Sequence, residues 1–137
     1  MTTRFGPQLI GETEKTLNTI LRRALEGSGL SEPQWVTLRI ANQLDAVDGP
    51  SLAAAVVDRA HFTNPAQLVD QLTQRGLLDG ARLTARGRDL LESLQAAITE
   101  MTAPIWHDLG NEDVAAAERL LHEILRRSRL VLGLSSN

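Results

Sequence analysis

The stretch FTNPAQLVDQLTQRGLLDGARLTARG, Phe62 to Gly87, changes its periodicity twice, and the fold follows from how those changes are read. Asn64 stands where a helix cap belongs, with Pro65 at the first helical position and Gln67 three residues after the cap. Pro65, Leu68, Val69 and Leu72 then share one face, while Gln67, Gln71, Gln74 and Arg75 point elsewhere. Gly76 ends the helix. The two short runs of LLDGARLT flank Asp79-Gly80, a pair suited to a type I′ turn with positive φ at both central positions, so a very small β-hairpin is expected. From Ala85 the spacing becomes helical again.

Outward from this stretch the chain is helical on both sides. Before it, Leu9, Thr13, Leu17, Ile20, Leu21, Ala24 and Leu25 recur at intervals of three and four, which predicts a helix over 8–26 that the GSG of Gly27–Gly29 stops. In SEPQWVTLRIANQL, Ser31 and Gln34 make a capping box with proline in the tolerated first turn. Trp35, Leu38, Ala41 and Leu44 or Asp45 form one stripe of that helix, broadened by Val36 and Ile40. DAVDGP, Asp45 to Pro50, reads as a turn, and Ser51 to Ala60 as a short apolar helix. After it, a long helix carries Leu90 or Leu91, Leu94, Ala97 or Ile98, Met101 and Ile105, with Pro104 placed to kink it. A last helix from about Glu112 aligns Val114, Ala117, Leu120, Leu121, Ile124 and Leu125, and Arg126, Arg127 and Arg129 near its end suit the helix dipole.

A chain of 137 residues suits one domain. It holds no cysteine, which excludes disulfides, thiolate metal sites and cysteine nucleophiles. The first residues lack the pattern of a signal peptide, and no apolar run approaches the roughly 20 residues that span a bilayer. A cytoplasmic protein with no membrane partner is the expectation. The formal net charge is −3, against a protein that coats nucleic acid by positive charge alone. Its distribution is uneven: five arginines (Arg59, Arg75, Arg82, Arg86, Arg88) face two aspartates (Asp70, Asp79) between residues 59 and 88, net +3, leaving the remainder at −6. Thirteen of the basic residues are Arg and only Lys15 is Lys, which suits bidentate contacts to phosphate or guanine but is better explained by a GC-rich genome.

The order of helices, hairpin and long helix, with LVDQLTQRGLL followed by LTARGRDLL, resembles the MarR family of winged helix-turn-helix transcription regulators. Leu72, Gly76, Leu77, Leu83, Thr84 and Gly87 carry the resemblance, which covers nearly the whole chain in element order. It implies a mainly α fold with a short β-hairpin: a single winged-helix domain over 1–137, with a DNA-binding lobe over 30–88 and N- and C-terminal helices (7–26 and 89–132) forming a dimerisation bundle. The implied function is binding of palindromic operator DNA as a homodimer, with the recognition helices in successive major grooves. A two-fold dimer also suits the apolar stripes of the terminal helices, which lack an obvious partner in the middle segment.

On this reading Thr63 and Asn64 hold phosphate at the entering end of the recognition helix. Gln67 and Gln71, one turn apart, face base edges, where glutamine pairs bidentately with adenine. Arg75, Arg82 and Arg86 contact phosphates. The wing departs from the family, since only Asp79, Gly80, Ala81 and Arg82 separate Leu78 from Leu83. Family members often bind small aromatic effectors, and Trp35, Trp106 and His107 are the candidates to line such a site, although large apolar side chains are core material by default.

No enzyme chemistry is expected. His122-Glu123 starts like the zinc motif HExxH, but Arg126 occupies the place of the second histidine. Neither a phosphate loop nor a dinucleotide glycine pattern occurs, and neither metal nor cofactor is expected. The competing class is a winged-helix interaction module that has lost DNA binding, suggested by the short wing and the acidic total charge. A ligand-sequestering protein is a third.

Overall fold

The computed structural model describes residues 2–44 and 48–134. Six helices and one hairpin follow in order: α1 (Pro7–Leu25), α2 (Glu32–Gln43), α3 (Gly49–Ala60), α4 (Pro65–Gln74), β1 (Leu78–Asp79), β2 (Arg82–Leu83), α5 (Ala85–Trp106) and α6 (Asn111–Val131). The architecture is the expected one, mainly α with a single two-stranded antiparallel sheet. The chain forms two compact units, Met1–Met101 and Thr102–Asn137, whose boundary falls within α5.

The core lies in the first unit, where α2, α3 and α4 pack on one another and against the hairpin. Leu38, Leu52, Val56, Leu72, Leu77 and Leu91 are its most deeply buried apolar side chains. Each leucine so removed from water contributes about 1.5–3 kcal/mol. The α4 face read from the sequence is the buried one: Leu68, Val69 and Leu72 are all inside.

The helix starts explain the boundaries. At α2 both halves of the capping box form, the Gln34 N–H donating to Ser31 Oγ and the Ser31 N–H to Gln34 Oε1. At α3 the Ser51 N–H donates to Asp48 Oδ1 at 2.8 Å, which holds the Asp48 carboxyl below the usual carboxylate range. The sequence places the start of this helix at Ser51, whereas α3 starts at Gly49. Asp48 is the cap, and Pro50 fits the first turn because no helical partner needs its missing N–H. The expected turn at 45–50 therefore shrinks, and its residues Asp45, Ala46 and Val47 lie outside the described ones.

The hairpin also differs in register. Leu78 pairs with Leu83 and Asp79 with Arg82, so Gly80 and Ala81 are the central pair rather than Asp79-Gly80. Only Gly80 has positive φ (65°), a pattern of signs that fits a II′ turn better than I′. Leu78 and Ala81 are both 2% exposed, so the turn keeps an apolar side chain buried at its second central position.

The glycine and threonine of the LTARG run have steric and hydrogen-bonding reasons to be there. Thr84 Oγ1 donates to the Gly76 carbonyl at 2.6 Å and accepts from the Gly87 N–H at 3.0 Å, while the Thr84 N–H donates to Leu77 O at 3.1 Å. Thr84 thereby caps α5 and ties it to the end of α4. Gly87 lies so close to Leu77 that an added Cβ would stand 2.1 Å from the Leu77 carbonyl oxygen. The first turn of α5 seats itself on the strand entrance through the absence of a side chain.

The second unit holds the end of α5, which continues through Pro104, and all of α6. Glu123 of α6 accepts from Arg126 Nε at 3.0 Å and from Arg127 Nε at 2.9 Å. The residue that breaks the HExxH pattern is thus the partner of its glutamate. These hydrogen bonds, with the nearby positive charges, hold the Glu123 carboxyl at about 2 instead of 4.5. Because the folded value is depressed, the contribution of the cluster is present above pH 4.5 and is lost as pH falls toward 2. An NMR titration of the Glu123 side chain is expected to have its midpoint near 2, and a midpoint near 4.5 would show the cluster to be absent in solution.

Leu120, Leu121 and Leu125, from the stripe read in the sequence, are each close to half exposed, and Leu130 joins them near the end of α6. Val114, Met101 and Ile105 are also open to solvent. No helix among the described residues is long and apolar enough to cross a membrane.

Candidate nucleic-acid interface

A helix-turn-helix element is built from α3 and α4. The α3 chain ends at His61, whose φ of 58° lies in the left-handed region and whose N–H bonds the Val57 carbonyl at 3.0 Å. Phe62, partly buried against the core, anchors the turn, and Thr63 and Asn64 deliver the chain to α4. Asn64 occupies the cap position expected of it, but its side chain makes no capping bond. Its φ of −128° and ψ of 49° depart from the extended conformation that brings a cap side chain onto the first-turn N–H groups. Those groups, on Ala66 and Gln67, have no partner within the helix.

The outer surface of α4 is polar. Thr63, Asn64, Gln67, Asp70 and Gln74 are exposed, and Gln71 is half-buried beside them. At roughly 100° per residue, Gln67, Gln71 and Gln74 form one ridge and Asp70 flanks it on the side away from Gln71. Asp70 is the one acidic residue of this helix.

Two contacts join this ridge to residues far away in sequence. Gln34 Nε2 donates to Gln71 Oε1 at 3.0 Å, linking the start of α2 to the middle of α4. Arg75 Nη1 donates to Gly29 O at 2.8 Å and Nη2 to Ser28 O at 3.3 Å, so its guanidinium clasps the loop between α1 and α2. Gly29 itself has a φ of 78°, and an added Cβ would stand 3.0 Å from that guanidinium. The sequence places Gln71 and Arg75 on the ridge but leaves Gln34, Ser28 and Gly29 unmarked as their partners. The capping box identifies Gln34 as a helix-start residue, and nothing local marks its second bond.

Arg82 lies at the tip of the hairpin opposite Asp79, and Arg86 in the first turn of α5; both are exposed. The wing is as short as the sequence implies, two residues in each strand. The remaining candidates are divided between the two units. Trp35 is 3% exposed and belongs to the core of the first. Trp106 and His107 lie in the second and are exposed, His107 Nε2 standing 3.3 Å from Asp108 Oδ2. Among the described residues no three His, Asp or Glu side chains gather as a metal site would need.

A family model described as "Helix-turn-helix family" matches residues 28–130, from the loop that Arg75 holds to the end of α6. The chain belongs to this helix-turn-helix family. No curated protein matches it by sequence. Among solved structures, the MarR family protein Rv2887 of Mycobacterium tuberculosis in complex with DNA superposes with a TM-score of 0.68 at 23% identity, covering 89% of this chain and 98% of that one. NadR in complex with 4-hydroxyphenylacetate gives 0.69 at 23%, covering 89% and 96%. Wild-type MarR of E. coli in its apo form gives 0.60 at 18%, covering 90% and 99%. The helix-turn-helix chain therefore has the winged fold of MarR proteins, and Leu72, Gly76, Leu77, Leu83, Thr84 and Gly87 serve here as its structural joints.

Proposed function

We propose that this protein is a MarR-like transcriptional regulator that binds palindromic operator DNA as a homodimer and has no enzymatic role. The observation that carries the proposal is the ridge of α4: an exposed, glutamine-rich helix face backed by a buried leucine face, presented by a helix-turn-helix. A helix of this kind fits the major groove, and a two-fold axis spaces two of them by about one helical turn of DNA, roughly 34 Å. Exposed leucines along α6 supply an apolar face of the sort that monomers rarely leave uncovered, which supports pairing of two chains. A structural neighbour is described in complex with DNA, in keeping with this function.

In the proposed complex Thr63 and Asn64 bind phosphate beside the free N–H groups of the first turn, and Gln67 reads a base edge. Arg82 and Arg86 add phosphate contacts from the wing and the start of α5. Arg75, its guanidinium already engaged with the loop carbonyls, positions α4 rather than serving chiefly as a phosphate ligand. A small aromatic effector is proposed to act by linkage, favouring a spacing of the reading heads that DNA disfavours. Trp106 and His107, as the exposed members of the aromatic set, are proposed to meet it, and Trp35 to serve the core.

Titrating the protein onto a duplex from its own upstream region at rising salt tests the proposal. Six or more phosphate contacts predict a loss of affinity of about 10³-fold between 50 and 200 mM salt. Absence of binding at the lowest salt would overturn it. The short wing favours one alternative, an interaction module without DNA binding, and the same titration separates the two.

A further inference from the structure

The hydrogen bonds joining Ser31, Gln34 and Gln71 have a polarity that can be assigned from the backbone outward. The Ser31 main-chain N–H can only donate, so the Gln34 atom that meets it at 3.1 Å must be the carbonyl oxygen. The other head of Gln34 is then its NH2 group, and the Gln71 atom 3.0 Å from it must be an acceptor, Oε1. Gln71 Nε2 is thereby turned away from α2 and makes no bond among the described residues. An unassisted glutamine is free to present either head to DNA; this one is not.

We propose that Gln34 is a positioning residue for base recognition, holding the Gln71 amide with its donor outward so that Gln71 prefers edges that carry acceptors and no donor, guanine O6 and N7 or thymine O4. This assigns a base class to the ridge and replaces the bidentate pairing with adenine, which needs Oε1 and Nε2 presented together to the base. It rests on the DNA-binding function proposed above. The cap of one helix sets the reading polarity of another.

The substitution Gln34→Glu tests it, because S-x-x-E is an equally good capping box and the start of α2 is kept. One carboxylate oxygen still accepts from Ser31 N–H, but the other now faces Gln71 as an acceptor. Gln71 must donate to it through Nε2, exposing Oε1. Selection of duplexes from a randomised library by the full-length protein, by Gln71→Ala and by Gln34→Glu reads the outcome. The base position whose preference Gln71→Ala abolishes should be guanine or thymine for the wild type and should change to cytosine or adenine for Gln34→Glu, each by about tenfold. The Gln71 side-chain NH2 signals in NMR spectra of the free protein should also shift and exchange more slowly in Gln34→Glu.

The same base chosen by both proteins, or no base preference lost in Gln71→Ala, would overturn the inference, as would Gln71 NH2 signals unchanged by the substitution. Changed NH2 signals with no duplex enriched by the wild type would instead overturn DNA recognition itself, and base reading with it.

Discussion

Replacing Leu121 and Leu125 of α6 together by aspartate is expected to turn the protein into monomers and to weaken its binding to palindromic DNA at least about a hundredfold. Both leucines are about half exposed on one chain, 47% and 55%, and both lie on the stripe that the spacing of Val114, Ala117, Leu120, Leu121, Ile124 and Leu125 predicts. If a second chain covers them, each aspartate places a charge in an apolar contact and takes it out of water at a cost. The reading heads are untouched, so each monomer keeps its intrinsic affinity. What disappears is the second binding event, which in a dimer is intramolecular and multiplies affinity by roughly 10² to 10⁴. Sedimentation gives the assembly state, circular dichroism shows that the helices persist, and anisotropy on a palindromic duplex gives the affinity. A variant that remains dimeric would place the dimer contact elsewhere and take away the apolar α6 face as the physical basis of the proposed homodimer.

The second large effect is on folding. Gly87→Ala is expected to cost on the order of 3 kcal/mol, at the top of the usual range for overpacking, or to prevent folding. The added methyl would stand 2.1 Å from Leu77 O, a backbone atom that accepts the Thr84 N–H and cannot swing aside as a side-chain tip would. Relief requires α5 to lift from the end of α4, which would also break the bonds of Thr84 to Gly76 and Gly87. Thr84→Val, nearly the same shape, removes only those two bonds and should cost less, about 1–3 kcal/mol. Urea denaturation at equal protein concentration measures both, since association would otherwise shift the midpoints. Equal stability of Gly87→Ala and the wild type would show that the joint is looser than its geometry.

The helices were legible because their information is local. A stripe at intervals of three and four, a Ser31–Gln34 box and a glycine stop are written within a few residues of the structure they specify. Even the resemblance to MarR proteins rested on local joints such as Thr84 and Gly87. Less legible were features in which two distant segments compete or cooperate. The hairpin closes on Gly80-Ala81, with Ala81 buried, against the local turn preference of Asp79-Gly80. The start of α3 depended on the carboxylate of Asp48 being free to cap. Arg75 looked like a phosphate ligand because its type and place on α4 suggested one, and only the folded chain brings Ser28 and Gly29 to it.

Residue order was enough to set the element types, the buried face of α4 and the outward row of leucines on α6, since hydrophobic period and capping act over a turn or two and need no knowledge of the rest. Packing alone chose which polar side chains of the ridge stay unengaged. Gln67 and Gln71 are the same residue one turn apart, yet Gln71 meets an amide 37 positions away in the chain and Gln67 meets none. A hydrogen bond has direction: here it is set locally by the Ser31 N–H on Gln34, and only the assembled core passes it on to Gln71.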